Sequence, residues 1–409
     1  MNRHTHFIKL SIAVFFLAAI ACFSSFAEEA VSWTKAPSIK DTYKNLFDYF
    51  GLCVSYNSNF NDSLLQKGLP YQTSCVTMEN EFKPDFIFGW NKFTKTTDFK
   101  GEDGKIYQVP GDIPNFRQMD NILSDMKKLG LKLRGHVLVW HSQTPAWFFQ
   151  KNYGRKGETE LVSPDEMNAR MEWYIKTVLE HVADWEKKNY NSEHIIFAWD
   201  VVNEAASDNA TSTKFLRDEK SSKWYAIYQN ESFIVNAFRY ANKYAPKDVK
   251  LVYNDYGCSS FLKNKAICQI IDAIQAAPDA RIDAVGMQTH ISINDSATYF
   301  ETAVKNFLAK NINVQITEMD IANGKTTYND DKLKECYKAY FEMFIRNRKT
   351  KNKKGIEGIT LWGVRDEWTW LNGMENNKGY TQYPLLFRGK NFECKPAFYG
   401  VIEAAKSAK

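Results

Sequence analysis

The stretch Ile195-Ile196-Phe197-Ala198-Trp199-Asp200-Val201-Val202-Asn203-Glu204 is apolar for most of its length and ends on an amide and a carboxylate. It lacks helical spacing and is rich in β-branched and aromatic residues, so it reads as a strand with polar chemistry at its C-terminal end. Ile312-Asn313-Val314-Gln315-Ile316-Thr317-Glu318 repeats the pattern. Working outward, Tyr49 to Ser55, Ser74 to Met78, Leu131 to Trp140, Lys250 to Tyr253, Ile282 to Gln288 and Gly358 to Trp362 complete a set of eight predicted strands. Between them Asp165 to Glu186, Ser232 to Tyr244, Ala297 to Ala309 and Asp331 to Arg346 carry apolar residues at helical spacing.

Strands that alternate with helices predict parallel pairing, because each parallel connection needs a crossover of about a dozen residues or more. A doubly wound open sheet shares that alternation. Polar residues separate the two: Glu79, His136, Glu204, Asn254, His290, Glu318 and Trp362 all fall at or near the C-terminal ends of different predicted strands. A closed barrel gathers those ends around one axis, where such folds carry their active sites. The expected fold is therefore α/β, a single (β/α)8 TIM barrel. Lys83 to Asn121 fits the alternation least and reads as a long irregular insertion over the barrel mouth after the second strand, with Gly101, Gly104, Pro110, Gly111 and Pro114 as breakers.

A chain of 409 residues with 44% hydrophobic content can bury a large core. The net charge of +5 is dispersed except at Arg346 to Lys354, which reads as a solvated loop and not as a nucleic-acid footprint. Residues 1–27 have the parts of a secretory signal: Arg3 and Lys9, an apolar Leu10 to Cys22, and Ser25-Phe26-Ala27 at the cleavage position. The apolar run is short for a membrane span, and the residues before Cys22 lack the leucine of a lipobox. The expectation is a secreted protein, residues 28–409 forming one catalytic barrel, monomeric and free of the membrane after signal removal. Removing the signal leaves Cys53, Cys75, Cys258, Cys268, Cys336 and Cys394, enough for three disulfides, with Cys258 and Cys268 the first guess. No metal or organic cofactor is expected, since no zinc-type or EF-hand-like spacing occurs.

Two carboxylates at strand ends suit glycosidic bond cleavage. With retention of configuration, one acid protonates the leaving oxygen while a carboxylate about 5 to 5.5 Å away attacks the anomeric carbon. Asn203 before Glu204 supplies an amide for a sugar hydroxyl. Asp320 flanks Glu318, and His290 approaches from the preceding strand, so a histidine oriented by Asp320 would keep Glu318 ionised as a nucleophile. Taken singly, Trp140, Trp362 and Trp370 would be core aromatics, and His136 and His141 would serve to satisfy buried polar groups.

Four segments then carry a resemblance. Arg134-Gly135-His136-Val137-Leu138-Val139-Trp140-His141-Ser142-Gln143, Trp199-Asp200-Val201-Val202-Asn203-Glu204-Ala205, Val285-Gly286-Met287-Gln288-Thr289-His290 and Ile316-Thr317-Glu318-Met319-Asp320-Ile321 resemble the signatures of glycoside hydrolase family 10. The likeness extends to Thr77 to Lys83, Leu361-Trp362-Gly363 and Pro384 to Phe387, covering roughly residues 45 to 403. It implies a secreted endo-1,4-β-xylanase acting on xylan or xylo-oligosaccharides with retention, with Glu204 as acid/base and Glu318 as nucleophile. It also implies a sugar-gripping set on the non-reducing side: Glu79, Asn80, Lys83, His136, Trp140, Gln143, Asn203, Gln288, His290, Trp362 and Trp370, with Asp320 orienting His290.

The chain departs from the family pattern in two places. Pro84 stands where members often have a tryptophan, and Arg365 to Trp370 is more charged than usual. The alternatives are a retaining β-1,4-glucanase of the same fold and a non-catalytic polysaccharide-binding protein. No nucleic-acid partner is expected.

Overall fold

In a computed structural model, residues 31–89, 93–114, 116–190 and 194–406 are described; the expected signal, residues 1–27, lies outside them. Eight parallel strands close on themselves: β1 (Tyr49–Val54), β2 (Cys75–Met78), β3 (Lys132–Trp140), β4 (Ile196–Asn203), β5 (Lys250–Asp255), β6 (Ala284–Met287), β7 (Asn313–Ala322) and β8 (Ile356–Leu361). Each pairs with the next in chain order, and β8 returns to β1. All eight overlap the predicted runs. β1, β2, β6 and β8 are buried at every position, one face lining the barrel and the other lying under helices, which is why these strands read as continuous apolar runs and not as alternating ones.

The helices begin where local chemistry permits. Ser163 accepts a hydrogen bond from the Glu166 amide and Pro164 occupies the first turn, opening the helix Pro164–Asn189. Asn329 caps Asp330–Arg346 in the same way through the Lys332 amide. No described helix is long and apolar enough to cross a membrane.

The barrel interior is partly ionic. Arg134 on β3 forms a forked ion pair with Asp200 on β4, both bonds at 2.5 Å, and its Nε donates to Gln315 on β7 at 2.9 Å. Gln315 and Asn313 in turn donate to Glu357 at 2.9 and 2.8 Å. Buried charges persist only when paired and hydrogen-bonded, and this ladder meets that demand below the mouth. At Gly286 a Cβ would lie 2.3 Å from Asn254 Oδ1, so only glycine leaves the neighbouring strand's amide in place.

The inserted segment after β2 differs from expectation. It is not irregular: it contains a short helix Pro84–Phe88 and an antiparallel hairpin of Thr96–Lys100 with Ile106–Pro110. Nor does the hairpin cover the mouth. Tyr153 Oη donates to the Gln108 carbonyl at 2.6 Å, and Glu102 pairs with Arg239 at 3.3 Å. Lys105 reaches Asp165 at 3.6 Å, so the hairpin lies on the outer helices. The disulfide expectation fails as well, because all six described cysteines are free thiols. Cys258 Sγ donates to the Asp255 carbonyl at 3.1 Å, while Cys268 sits a turn and more into the helix Phe261–Ala276. The basic run ends in exposed residues, with Lys349 paired to Asp48 at 2.6 Å.

Candidate active site

A cleft of about 730 Å³ opens at the C-terminal ends of the strands. All fourteen sequence candidates line it: Glu79, Asn80, Lys83, His136, Trp140, Gln143, Asn203, Glu204, Gln288, His290, Glu318, Asp320, Trp362 and Trp370. The strands account for this convergence. Glu79 directly follows β2, His136 and Trp140 lie in β3, and Asn203 ends β4. Gln288 follows β6, Glu318 and Asp320 lie in β7, and Trp362 follows β8.

Glu318 lies inside β7 and is held by charged and amide partners. Asn254 Nδ2 donates to Oε1 at 2.7 Å, and His290 Nε2 contacts Oε2 at 3.2 Å. His290 Nδ1 forms an ion pair with Asp320 Oδ1 at 3.0 Å, and Trp370 Nε1 donates to Asp320 Oδ2 at 2.8 Å. Burial alone would favour neutral Glu318, but the His290 hydrogen bond and charge outweigh it and keep the carboxyl below its ordinary range. Burial likewise opposes charge on His290, yet Asp320 and Glu318 together push it up to about 10. The pair is therefore imidazolium against carboxylate at neutral pH.

Glu204 lies one residue beyond β4 with φ at +56°, in the left-handed region. The turn is tethered: its amide donates to the Asn254 carbonyl at 2.8 Å, and the amides of Ala205 and Ala206 both donate to Tyr253 Oη at 3.0 Å. Its carboxyl oxygens meet neutral donors only, Gln288 Nε2 at 2.8 Å and Trp140 Nε1 at 3.0 Å. Burial raises its pKa, the two hydrogen bonds lower it only in part, and the negative charges of Asp255 and Glu318 raise it further. One carboxyl is thus biased toward holding a proton and the other toward losing it.

Around them stand the groups that suit sugar hydroxyls and ring faces. Lys83 Nζ donates to Asn80 Oδ1 at 3.1 Å and Gln143 Oε1 at 3.0 Å, and lies 5.0 Å from the Trp140 ring centroid. Burial lowers its pKa, opposed by Glu318. His136 contacts Asp200 Oδ2 through Nδ1 at 2.9 Å and meets Trp362 edge-on at 5.4 Å. The three tryptophans line the cleft instead of serving as plain core.

Several partners escaped the sequence candidates. Asn254 holds Glu318 and also donates to Asn203 Oδ1 at 2.9 Å; its signal was present, a polar residue at the end of β5. Ile291, Ser292 and Met374 also line the cleft, as does Tyr256, whose place after Asn254-Asp255 already pointed to the leaving-group side or to core packing. Arg134 and Asp200 brace His136 from below through a contact that depends on strand register. His141 is not in the cleft lining. Its Nδ1 is buried with no hydrogen-bond partner among the described residues, and burial followed by the Arg217 charge pushes it down to about 4.

The sequence model described as "Glycosyl hydrolase family 10" matches residues 38–404. This chain belongs to glycosyl hydrolase family 10. It is 32% identical over 375 residues to endo-1,4-beta-xylanase Y of Acetivibrio thermocellus, a match that covers 89% of this chain and 32% of that relative. It is 31% identical to a beta-1,4-xylanase of Dictyoglomus thermophilum, covering 97% of this chain and 99% of the other. Among solved structures, it superposes with a TM-score of 0.74 and 31% identity on the CBM22-1 and GH10 modules of Clostridium thermocellum endo-1,4-beta-D-xylanase 10B complexed with xylohexaose, over 90% of this chain and 67% of that one. The (β/α)8 barrel expected from the eight strands is the fold observed.

Proposed function

We propose that this family 10 chain is an endo-1,4-β-xylanase that cleaves internal bonds of xylan with retention of configuration. The observation that carries the reading is the opposite bias of two carboxyls in one cleft, Glu204 held toward the acid and Glu318 toward the carboxylate. The activities named for the relatives, and the xylohexaose bound to one of them, support xylan as the substrate.

In the first step Glu318 attacks the anomeric carbon as the bond to the leaving oxygen breaks, and Glu204 delivers its proton to that oxygen. The glycosyl group is then an ester of Glu318. Glu204, now a carboxylate, takes a proton from water as the water attacks the same carbon, releasing Glu318 and restoring both protonation states. Trp362 and Trp370 offer flat faces to pyranose C–H surfaces, while Asn80, Lys83, Gln143 and Asn203 supply hydroxyl partners.

The test is the product made from xylo-oligosaccharides, followed by NMR at early times. The β anomer should form first; initial α product would overturn retention. Faster cleavage of cello-oligosaccharides than of matched xylo-oligosaccharides would overturn xylan as the substrate. We further infer that residues 1–27 direct export, supported by their charge and apolar pattern. N-terminal sequencing of the protein recovered from culture medium should begin near Glu28.

A further inference from the structure

The closed strand order divides the cleft. Between β4, which carries Glu204, and β7, which carries Glu318, lie β5 and β6 on one side and β8, β1, β2 and β3 on the other. A linear chain passing between the carboxyls therefore has one half over each group. Most residues assigned to gripping the non-reducing side, from Glu79 to Gln143 and Trp362 to Trp370, come from β2, β3 and β8 and their loops, while Asn203, Gln288 and His290 stay at the carboxyls, Gln288 bonded to Glu204 and His290 to Glu318. Beyond them the β5 and β6 side is left for the leaving portion of the chain.

Two large aromatic side chains stand in water on that side. Phe261 is 79% exposed and Tyr299 is 76% exposed, and Leu262 beside Phe261 is 49% exposed. Phe261 opens the helix Phe261–Ala276 after β5, and Tyr299 is in the first turn of Ala297–Leu308, after β6. The two helices touch one turn further on: Asn264 Nδ2 donates to the Ala303 carbonyl at 3.4 Å, and Asn306 Nδ2 donates to Asn264 Oδ1 at 2.8 Å. Phe261 and Tyr299 thus occupy matching levels on adjacent helices that start at the barrel mouth.

The connection to the cleft is continuous along both loops. Tyr256, five residues before Phe261, lines the cleft, as does Ser292, seven residues before Tyr299. Both loops are pinned. Tyr256 Oη accepts from Arg217 at 2.8 Å and donates to Asp208 at 2.5 Å, with Lys263 Nζ 3.3 Å from its ring centroid. The Ser292 amide donates to Asp295 Oδ2 at 2.8 Å. Rigidly carried aromatic faces at the rim suit the C–H faces of pyranose rings, since a flat apolar ring loses little conformational freedom on contact.

Resting on the xylanase reading above, we propose that Phe261 and Tyr299 form a distal platform for the leaving-group side of the xylan chain, beyond Tyr256. Phe261→Ala, Tyr299→Ala and the double variant should be compared with wild type on xylohexaose and on an aryl β-xylobioside, which has no sugar on that side. For the double variant, kcat/KM on xylohexaose should fall about 3- to 10-fold with the aryl substrate unchanged. Tyr299→Trp should retain the wild-type value. Equal loss on both substrates, or no loss on xylohexaose, overturns the platform. A wild type that cleaves neither substrate overturns the xylanase reading and the platform with it. A wild-type dimer made monomeric by the double variant assigns the face to a second copy and also overturns the proposal.

Discussion

Glu318 sits inside a strand among charged and amide partners, whereas Glu204 sits past the end of one, on a left-handed residue, among neutral donors. The difference gives one side-chain type two opposite protonation biases within one cleft. An imidazolium held by a second carboxylate fixes charge on Glu318, while indole and amide groups hold Glu204 in place without forcing it to ionise.

The largest effect should break the comparison at its charged end. Glu318→Ala should lower hydrolysis of every substrate on the order of 10⁴-fold or more, since no covalent step remains. Full activity in that variant would falsify the nucleophile assignment. Glu204→Gln should lower cleavage of xylan by about 10²- to 10⁴-fold, the usual range for a general acid. A dinitrophenyl xylobioside, whose leaving group needs no proton, should keep a rapid first burst in this variant and show none in Glu318→Ala. Equal bursts in the two variants would erase the distinction between them.

Smaller changes sharpen the comparison through pH. Asn254→Ala removes a donor to the Glu318 carboxylate and should cost kcat about 10-fold or more, because hydrogen bonds to charged groups contribute roughly 1.5–3 kcal/mol. Its acidic limb should move to higher pH. Gln288→Ala removes a donor to Glu204 and should move the alkaline limb upward instead. Profiles that shift together would show that the two carboxyls do not titrate separately.

The least expected effect is on stability. His290 is raised from 6.5 to about 10 in the folded state, so its charge contributes stability that is full below pH 6.5 and is lost as pH rises towards 10. The Tm deficit of His290→Gln should be largest below pH 6.5 and shrink above it. A deficit that grows with pH would reverse the sign assigned here.

The strands were legible because burial on both sides makes apolar runs with abrupt polar ends, and those ends pointed to Glu79, His136, Glu204, His290, Glu318 and Trp362 in the cleft, whereas Asn80, Lys83, Gln143 and Trp370 came from the family resemblance. The outer hairpin was not legible, because Thr96–Lys100 and Ile106–Pro110 are mostly exposed and carry no apolar alternation for a reader to detect. Gly101 and Gly104 mark its turn, yet the same glycines equally signal disorder of pattern. The Arg134–Asp200 pair depends on strand register, which no local sequence reveals. An even cysteine count says nothing of where the sulfurs point.

The amides between the carboxyls carry one more consequence. Asn203 Oδ1 accepts from Asn254 Nδ2 at 2.9 Å and from Gln288 Nε2 at 3.2 Å, which uses both of its lone pairs. Toward the cleft, then, Asn203 speaks only as a donor, and under the proposed function a sugar oxygen that it meets must listen as an acceptor. A deoxy sugar that loses that oxygen forfeits the contact, whereas a methyl ether there loses only the proton Asn203 does not need. Under that reading, discrimination at such a hydroxyl is a matter of hydrogen-bond direction and not of size alone.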